Sequence, residues 1–115
     1  MTFESVLTEL RAFVSERDWA QFHDPKNLAM LVASEAGELC AEYRWVRGEE
    51  SDAFSREPAA RARIAAEMGD VALALLLLSD RIGLDLLEAM RAKLALNRQK
   101  YPAESSRGRA DKPAG

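Results

Sequence analysis

The stretch "LVASEAGELCAEYRW", residues 31–45, decides how this chain folds. Leu31, Val32, Leu39 and Tyr43 fall at helical spacing, and Val46 continues the series. Such spacing predicts a helix with one buried face. Glu35 interrupts the pattern, because it sits on that apolar stripe with Glu38 one turn on. Upstream, Asp24 can cap the helix. Pro25 suits its first position, where the missing N–H has no helical partner to lose. Leu28 extends the stripe, and Gly48 marks the expected end.

Three more helices and no strand are expected around it. The first covers roughly 3–17, with Phe3, Val6, Leu7, Leu10, Phe13 and Val14 on one face and Thr2 as its cap. "RDWAQFHDP" (17–25) breaks that pattern and reads as a loop carrying Trp19, Gln21, Phe22 and His23. "GEESDAFSREP" (48–58) is polar and reads as a connecting loop. The third helix runs from about Pro58 to Ile82 and ends at Gly83. Its second half, "VALALLLL" (71–78), is apolar all round and must be covered on every side. Four short helices struggle to do that, so a second subunit is expected there. The fourth helix, about 86–100, is capped by Asp85 and stopped by Pro102, with Leu86, Leu87, Met90 and Leu94 inward. The fold class is therefore all-α, with one domain over 1–102. The tail 103–115 has no apolar pattern and is expected to be disordered.

Bulk composition excludes several function classes. The 115 residues are 48% hydrophobic and 30% charged, a globular balance for one domain with its own core. Net charge is −3 and the pI about 5.2, so no basic excess supports nucleic-acid binding. The apolar run is far short of the ~20 residues of a membrane helix. The start, "MTFESVLTELRAF", lacks the basic opening and long apolar run of a secretory signal. Cys40 stands alone and cannot form an internal disulfide, which fits a reducing, cytoplasmic setting.

The chemistry lies in two acidic pairs, Glu35/Glu38 and Glu67/Asp70. Residues three apart share a helix face, so each pair presents two carboxylates. Gly37 and Gly69 lie within them, in "EAGE" and "EMGD". Mid-helix glycine costs about 1 kcal/mol against alanine, and close helix approach would be its compensation. With the two helices antiparallel, the pairs can face each other. Four carboxylates together repel, and burial makes that worse. A hard divalent cation among them resolves the conflict. Mg²⁺, which takes carboxylate, water and phosphate oxygens, suits this donor set. No histidine or cysteine cluster argues for zinc. The plainer reading of each pair is a solvated face, which pattern alone leaves open. Glu4, Glu9, Glu42, Glu49, Glu50 and Glu88 are assigned that way.

Beyond pattern, "ERDWAQFHDPKNL" (16–28), "SEAGELCAEYRW" (34–45), "EMGDVALALLLLSDRIGLDL" (67–86) and "KLALNRQKYP" (93–102) follow in an order and spacing that is specific. Over about residues 3–102 the chain resembles the all-α nucleoside triphosphate pyrophosphohydrolases of the MazG superfamily, most of all the dCTP pyrophosphatase branch. The resemblance implies a four-helix MazG-like bundle assembling as a dimer or dimer of dimers. It implies Mg²⁺ on Glu35, Glu38, Glu67 and Asp70, and water attack at the α-phosphorus of a nucleoside triphosphate. The products are the monophosphate and pyrophosphate, and the role is house-cleaning of the nucleotide pool. Glu38 is the candidate catalytic base, a role that the sequence does not separate from that of ligand.

Lys93 and Asn97 share a face of the fourth helix, and Tyr101 continues it. By resemblance they reach triphosphate and sugar; otherwise they are a polar strip at a helix end. Trp19 and Trp45 are candidates to stack on the base, against the usual fate of tryptophan in packing. His23 either bonds the substrate or caps its loop. Many relatives carry tyrosine one turn after the second acidic pair, where this chain has Ala74, which leaves fine specificity open. The leading expectation is dCTP or a modified dCTP. The alternatives are a broader NTP or dUTP pyrophosphohydrolase, or a helical dimerisation module without catalysis.

Overall fold

The computed structural model describes residues 1–111. Among these it is all-helical, with no strand. Contacts divide the chain into two compact units that meet at Gly83/Leu84. The first holds α1 (Phe3–Glu16), α2 (Pro25–Glu42), α3 (Ser51–Arg56) and α4 (Pro58–Ile82). The second holds α5 (Leu86–Lys100) and the single turn α6 (Ala103–Ser106).

Local chemistry sets most boundaries. The Thr2 hydroxyl accepts the Ser5 N–H, and the Ser5 hydroxyl receives the Thr2 N–H, which closes a capping box on α1. The Asp24 carboxylate accepts the Asn27 N–H at 2.8 Å, ahead of Pro25 in the first turn of α2. Gly83 ends α4 at φ 71°, a left-handed conformation that a side chain would strain. Asp85 then accepts the Glu88 N–H at 3.1 Å and starts α5.

Two expectations fail on tertiary contacts. α2 stops at Glu42, short of Gly48, and Tyr43, Arg44 and Trp45 form a turn. The polar stretch expected as a loop is instead a 3₁₀ turn, Gly48–Glu50, followed by α3. Tyr43 explains both. Its ring meets Phe54 edge-on at 5.7 Å, and its hydroxyl bonds Ser55 at 2.6 Å. The chain must fold back after α2 to make those contacts, and α3 is the segment that receives them.

In the first unit α2 packs along α4, with α1 and α3 flanking α4. Leu28 is the most deeply buried large side chain, joined in the core by Leu10, Val14, Ile64, Ala74 and Leu76. The apolar half of α4 is only partly covered, since Leu73 and Leu75 each remain 37% exposed. On α5 the expected inward face differs more. Leu86 is half-buried, but Leu87, Met90 and Leu94 are exposed. Of the tail, Ala103–Ser106 is helical, and residues 112–115 lie outside the described residues. Among the described residues, no helix is long and apolar enough to cross a membrane.

Candidate active site

Helices α2 and α4 run antiparallel along a carboxylate-lined seam. Arg63 Nε, in the second turn of α4, donates to Glu42 Oε1 at 3.0 Å, at the end of α2. Four and seven residues on along α4, and seven residues back along α2, acidic residues meet. One oxygen from each of Glu35, Glu67 and Asp70 lies within 4.8 Å of the others. Three of the four expected ligands are thus brought together. Glu38 is exposed and stands outside that group.

Electrostatics mark the cost of this arrangement. The Glu67 carboxyl is held above its ordinary range, first by desolvation and then by the charges of Asp70, Glu38, Glu35 and Glu42. Like charges gathered at a half-buried position disfavour ionisation. A cation among them reverses that penalty. An all-oxygen donor set, without sulfur or imidazole, fits a hard divalent ion.

The central glycines do not bring the helices close. A Cβ built on Gly37 or Gly69 meets nothing within 4 Å, so in this chain both face open space. Gly69 instead borders an apolar groove of about 480 Å³ with Phe3, Val6, Leu73 and Leu76. Glu42, assigned from sequence to solvent, is half-buried against Arg63, with its side chain 20% exposed. Sequence reasoning missed this pair because the partner lies on another helix.

The aromatic candidates divide. Trp19 lies in the ordered 17–23 loop, with its ring edge-on to Phe13 at 5.5 Å. That loop is tied down from both sides. The Asn27 side chain donates to the Phe22 carbonyl, and the Gln21 side chain donates to Asp18. Trp45 is 89% exposed in the turn after α2, with Arg44 near its ring. His23 lines a cavity of about 320 Å³ together with Val14, Leu28, Leu77 and Arg81. The Arg11–Asp80 ion pair borders this cavity, with Arg11 Nε donating to Asp80 at 3.1 Å. Ala74 is buried one turn beyond Asp70.

Lys93, Asn97 and Tyr101 belong to the second unit. Lys93 and Asn97 line a groove of about 440 Å³ whose other walls are Leu87, Met90, Arg91 and Leu94. Tyr101 is half-buried at the end of α5, and its N–H donates to the Asn97 carbonyl at 2.7 Å.

Known proteins share both sequence and shape. No family model matches the chain. The dCTP pyrophosphatase 1 of Bos taurus is 37% identical over 111 residues, covering 96% of this chain and 66% of the relative. That of Homo sapiens is 35% identical over 111 residues, covering 96% and 65%. The chain therefore spans just under two thirds of the length of these curated relatives. A crystal structure of a pyrophosphatase from Archaeoglobus fulgidus superposes with a TM-score of 0.78 at 35% identity, covering 86% of this chain and 91% of that one. Identity at this level over nearly the whole of a shared helical fold places the chain in the MazG-like all-α pyrophosphohydrolase family.

Proposed function

We propose that this protein hydrolyses a pyrimidine deoxynucleoside triphosphate, dCTP or a base-modified dCTP, to the monophosphate and pyrophosphate. The observation that carries the proposal is the meeting of Glu35, Glu67 and Asp70 oxygens within 4.8 Å, in a chain of this family. Those three carboxylates are the candidate Mg²⁺ ligands, with Glu38 adjoining. Bound there, Mg²⁺ would neutralise phosphate charge and acidify water.

The chain's own groups supply the rest. Water attacks the α-phosphorus, the bond to the bridging oxygen breaks, and pyrophosphate leaves with its electron pair. Glu38 is the candidate acceptor of the water's proton, since it is exposed beside the cluster and outside the three-residue group. The cavity at His23 is the candidate nucleoside pocket. Its volume of about 320 Å³ suits a small ligand. Its Leu77 wall lies two helical turns beyond Asp70, roughly 10 Å along α4. That is a nucleotide's reach from the carboxylates. Trp19 is the stacking candidate on the adjoining loop, and Trp45 a second one. Lys93, Asn97 and Tyr101 are candidates for triphosphate and sugar.

Self-association belongs to the same proposal. Leu87, Met90 and Leu94 are 39%, 54% and 51% exposed on one helix face, and Leu73 and Leu75 are partly bare on α4. Exposed apolar faces of this kind mark association sites. A second copy of this chain is the occupant we propose, as a homodimer or dimer of dimers, in the cytoplasm. A broader NTP or dUTP preference is the second reading, favoured by the small Ala74 in the helix between acid cluster and cavity.

The test is pyrophosphate release from the pure protein with Mg²⁺ and a panel of standard and base-modified nucleotides. dCTP or a modified dCTP should turn over fastest. Orthophosphate in place of pyrophosphate would sink the bond assignment. No turnover and no Mg²⁺ binding would leave a helical dimerisation module.

A further inference from the structure

The seam of α2 and α4 has three rungs, and the first is not acidic on both sides. Stepping back along α2 from Glu42 by four and then three residues reaches Glu38 and Glu35. Stepping forward along α4 from Arg63 by four and then three reaches Glu67 and Asp70. Antiparallel helices in register therefore set Glu42 opposite Arg63, Glu38 opposite Glu67, and Glu35 opposite Asp70. The 3.0 Å contact between Arg63 Nε and Glu42 Oε1 fixes the first rung. The Glu35, Glu67 and Asp70 cluster fixes the last.

Between the first and second rungs stand Glu42, Glu38, Glu67 and Arg63, neighbours by one helical turn or across the seam. Three are carboxylates, like the trio at the other end. The fourth corner is a guanidinium. From this geometry we infer that Arg63 sets the number of divalent cations the seam accepts, its guanidinium standing where a second ion would otherwise sit.

The physical reason is charge and shape together. Five carboxylates line the seam, and Arg63 is the cation paired among them. Its planar fork stays charged at any working pH and holds Glu42 through a directional hydrogen bond. Pinned in this way, Glu42 is withheld from Glu38 and Glu67. The seam then keeps one ion, at the Glu35–Asp70 end. Arg63 is thus a positioning residue, and the inference rests on the metal reading of the acidic cluster.

The experiment is a calorimetric titration of the metal-free protein with Mn²⁺ alone, with no nucleotide present. The wild type should bind one ion per chain. Arg63→Gln should bind two, the second lost again in Arg63→Gln/Glu42→Gln. Arg63→Lys keeps a cation at that corner and should bind one. Glu42→Gln alone releases Arg63 toward Glu38 and Glu67, and should weaken the single ion several-fold. It tests the idea even if the Arg63→Gln chain folds poorly. One ion at wild-type affinity in Arg63→Gln, unchanged affinity in Glu42→Gln, or two ions in the wild type would each overturn the inference while the cluster remains a metal site. Absence of binding in the wild type would remove the metal reading itself, and this inference with it.

Discussion

The α2–α4 seam and the α5 helix both present residues at helical spacing, yet they end differently. Along the seam all the charged positions but Glu38 meet a counterpart supplied by the same chain: Glu42 with Arg63, Glu35 with Glu67 and Asp70. On α5, Leu87, Met90 and Leu94 are left about half exposed. The difference separates two requirements. One chain is enough to bring three of the candidate metal ligands together. It is not enough to shelter its own apolar surface, which would leave several large side chains in water at roughly 25 cal/mol for each Å². Chemistry and assembly should therefore be separable by mutation.

The largest effect is expected at the seam. Glu35→Gln or Asp70→Asn removes one oxygen donor from a three-residue cluster. Loss of several kcal/mol of charge stabilisation would lower turnover on the order of a thousandfold. Mass in solution, read by light scattering, should match the wild type. Retained turnover in either variant would take that residue out of the site, and a change of mass would show the two requirements to be coupled.

The second break comes from the other side. Leu94→Glu places a charge on the exposed apolar face of α5. Burying an unpaired carboxylate at an interface is costly, so the assembly should fall apart to single chains. Mn²⁺ binding at the seam of the first unit should survive. An unchanged mass would mean that α5 is not the covered face.

Legibility in the sequence follows the same division. Helix starts could be read because their chemistry is local: Asp24 with Pro25, and Asp85, each cap by reaching three residues on. Gly83 could be read as a stop for the same reason. α3 could not, because what orders it is the Tyr43 side chain arriving from α2. The end of α2 was missed for the same cause, since Tyr43 and Val46 continue the apolar spacing and no breaker precedes Gly48. At the site, the two acidic pairs could be read from spacing. The exclusion of Glu38 from the trio and the capture of Glu42 by Arg63 could not. Both depend on the register of two helices, and periodicity describes one helix at a time. The open space around Gly37 and Gly69 was unreadable for the same reason.

The smallest effect compares two carboxylates on α4 whose surroundings push them in opposite directions. The Arg11 guanidinium holds Asp80 below its usual 3.8 through a side-chain hydrogen bond, against a smaller opposing push from desolvation. Its stabilising contribution is complete above 3.8 and is lost as pH falls through the lowered value. Desolvation and neighbouring charges hold Glu67 above its usual 4.5. Its penalty is absent below 4.5 and complete once pH has risen past the raised value. The metal-free protein should therefore be most stable between these windows, with its thermal midpoint falling on both sides. Asp80→Asn should flatten the acid limb only, and Glu67→Gln the limb towards neutral only. Mg²⁺ should flatten the same limb as Glu67→Gln, because a cation at the seam offsets the repulsion that raises Glu67. The acid limb will be shallow, since Arg11 and Asp80 are both partly in water, where ion pairs are screened. A neutral limb that Mg²⁺ leaves untouched would separate Glu67 from the metal and reduce the seam to a cluster of solvated acids.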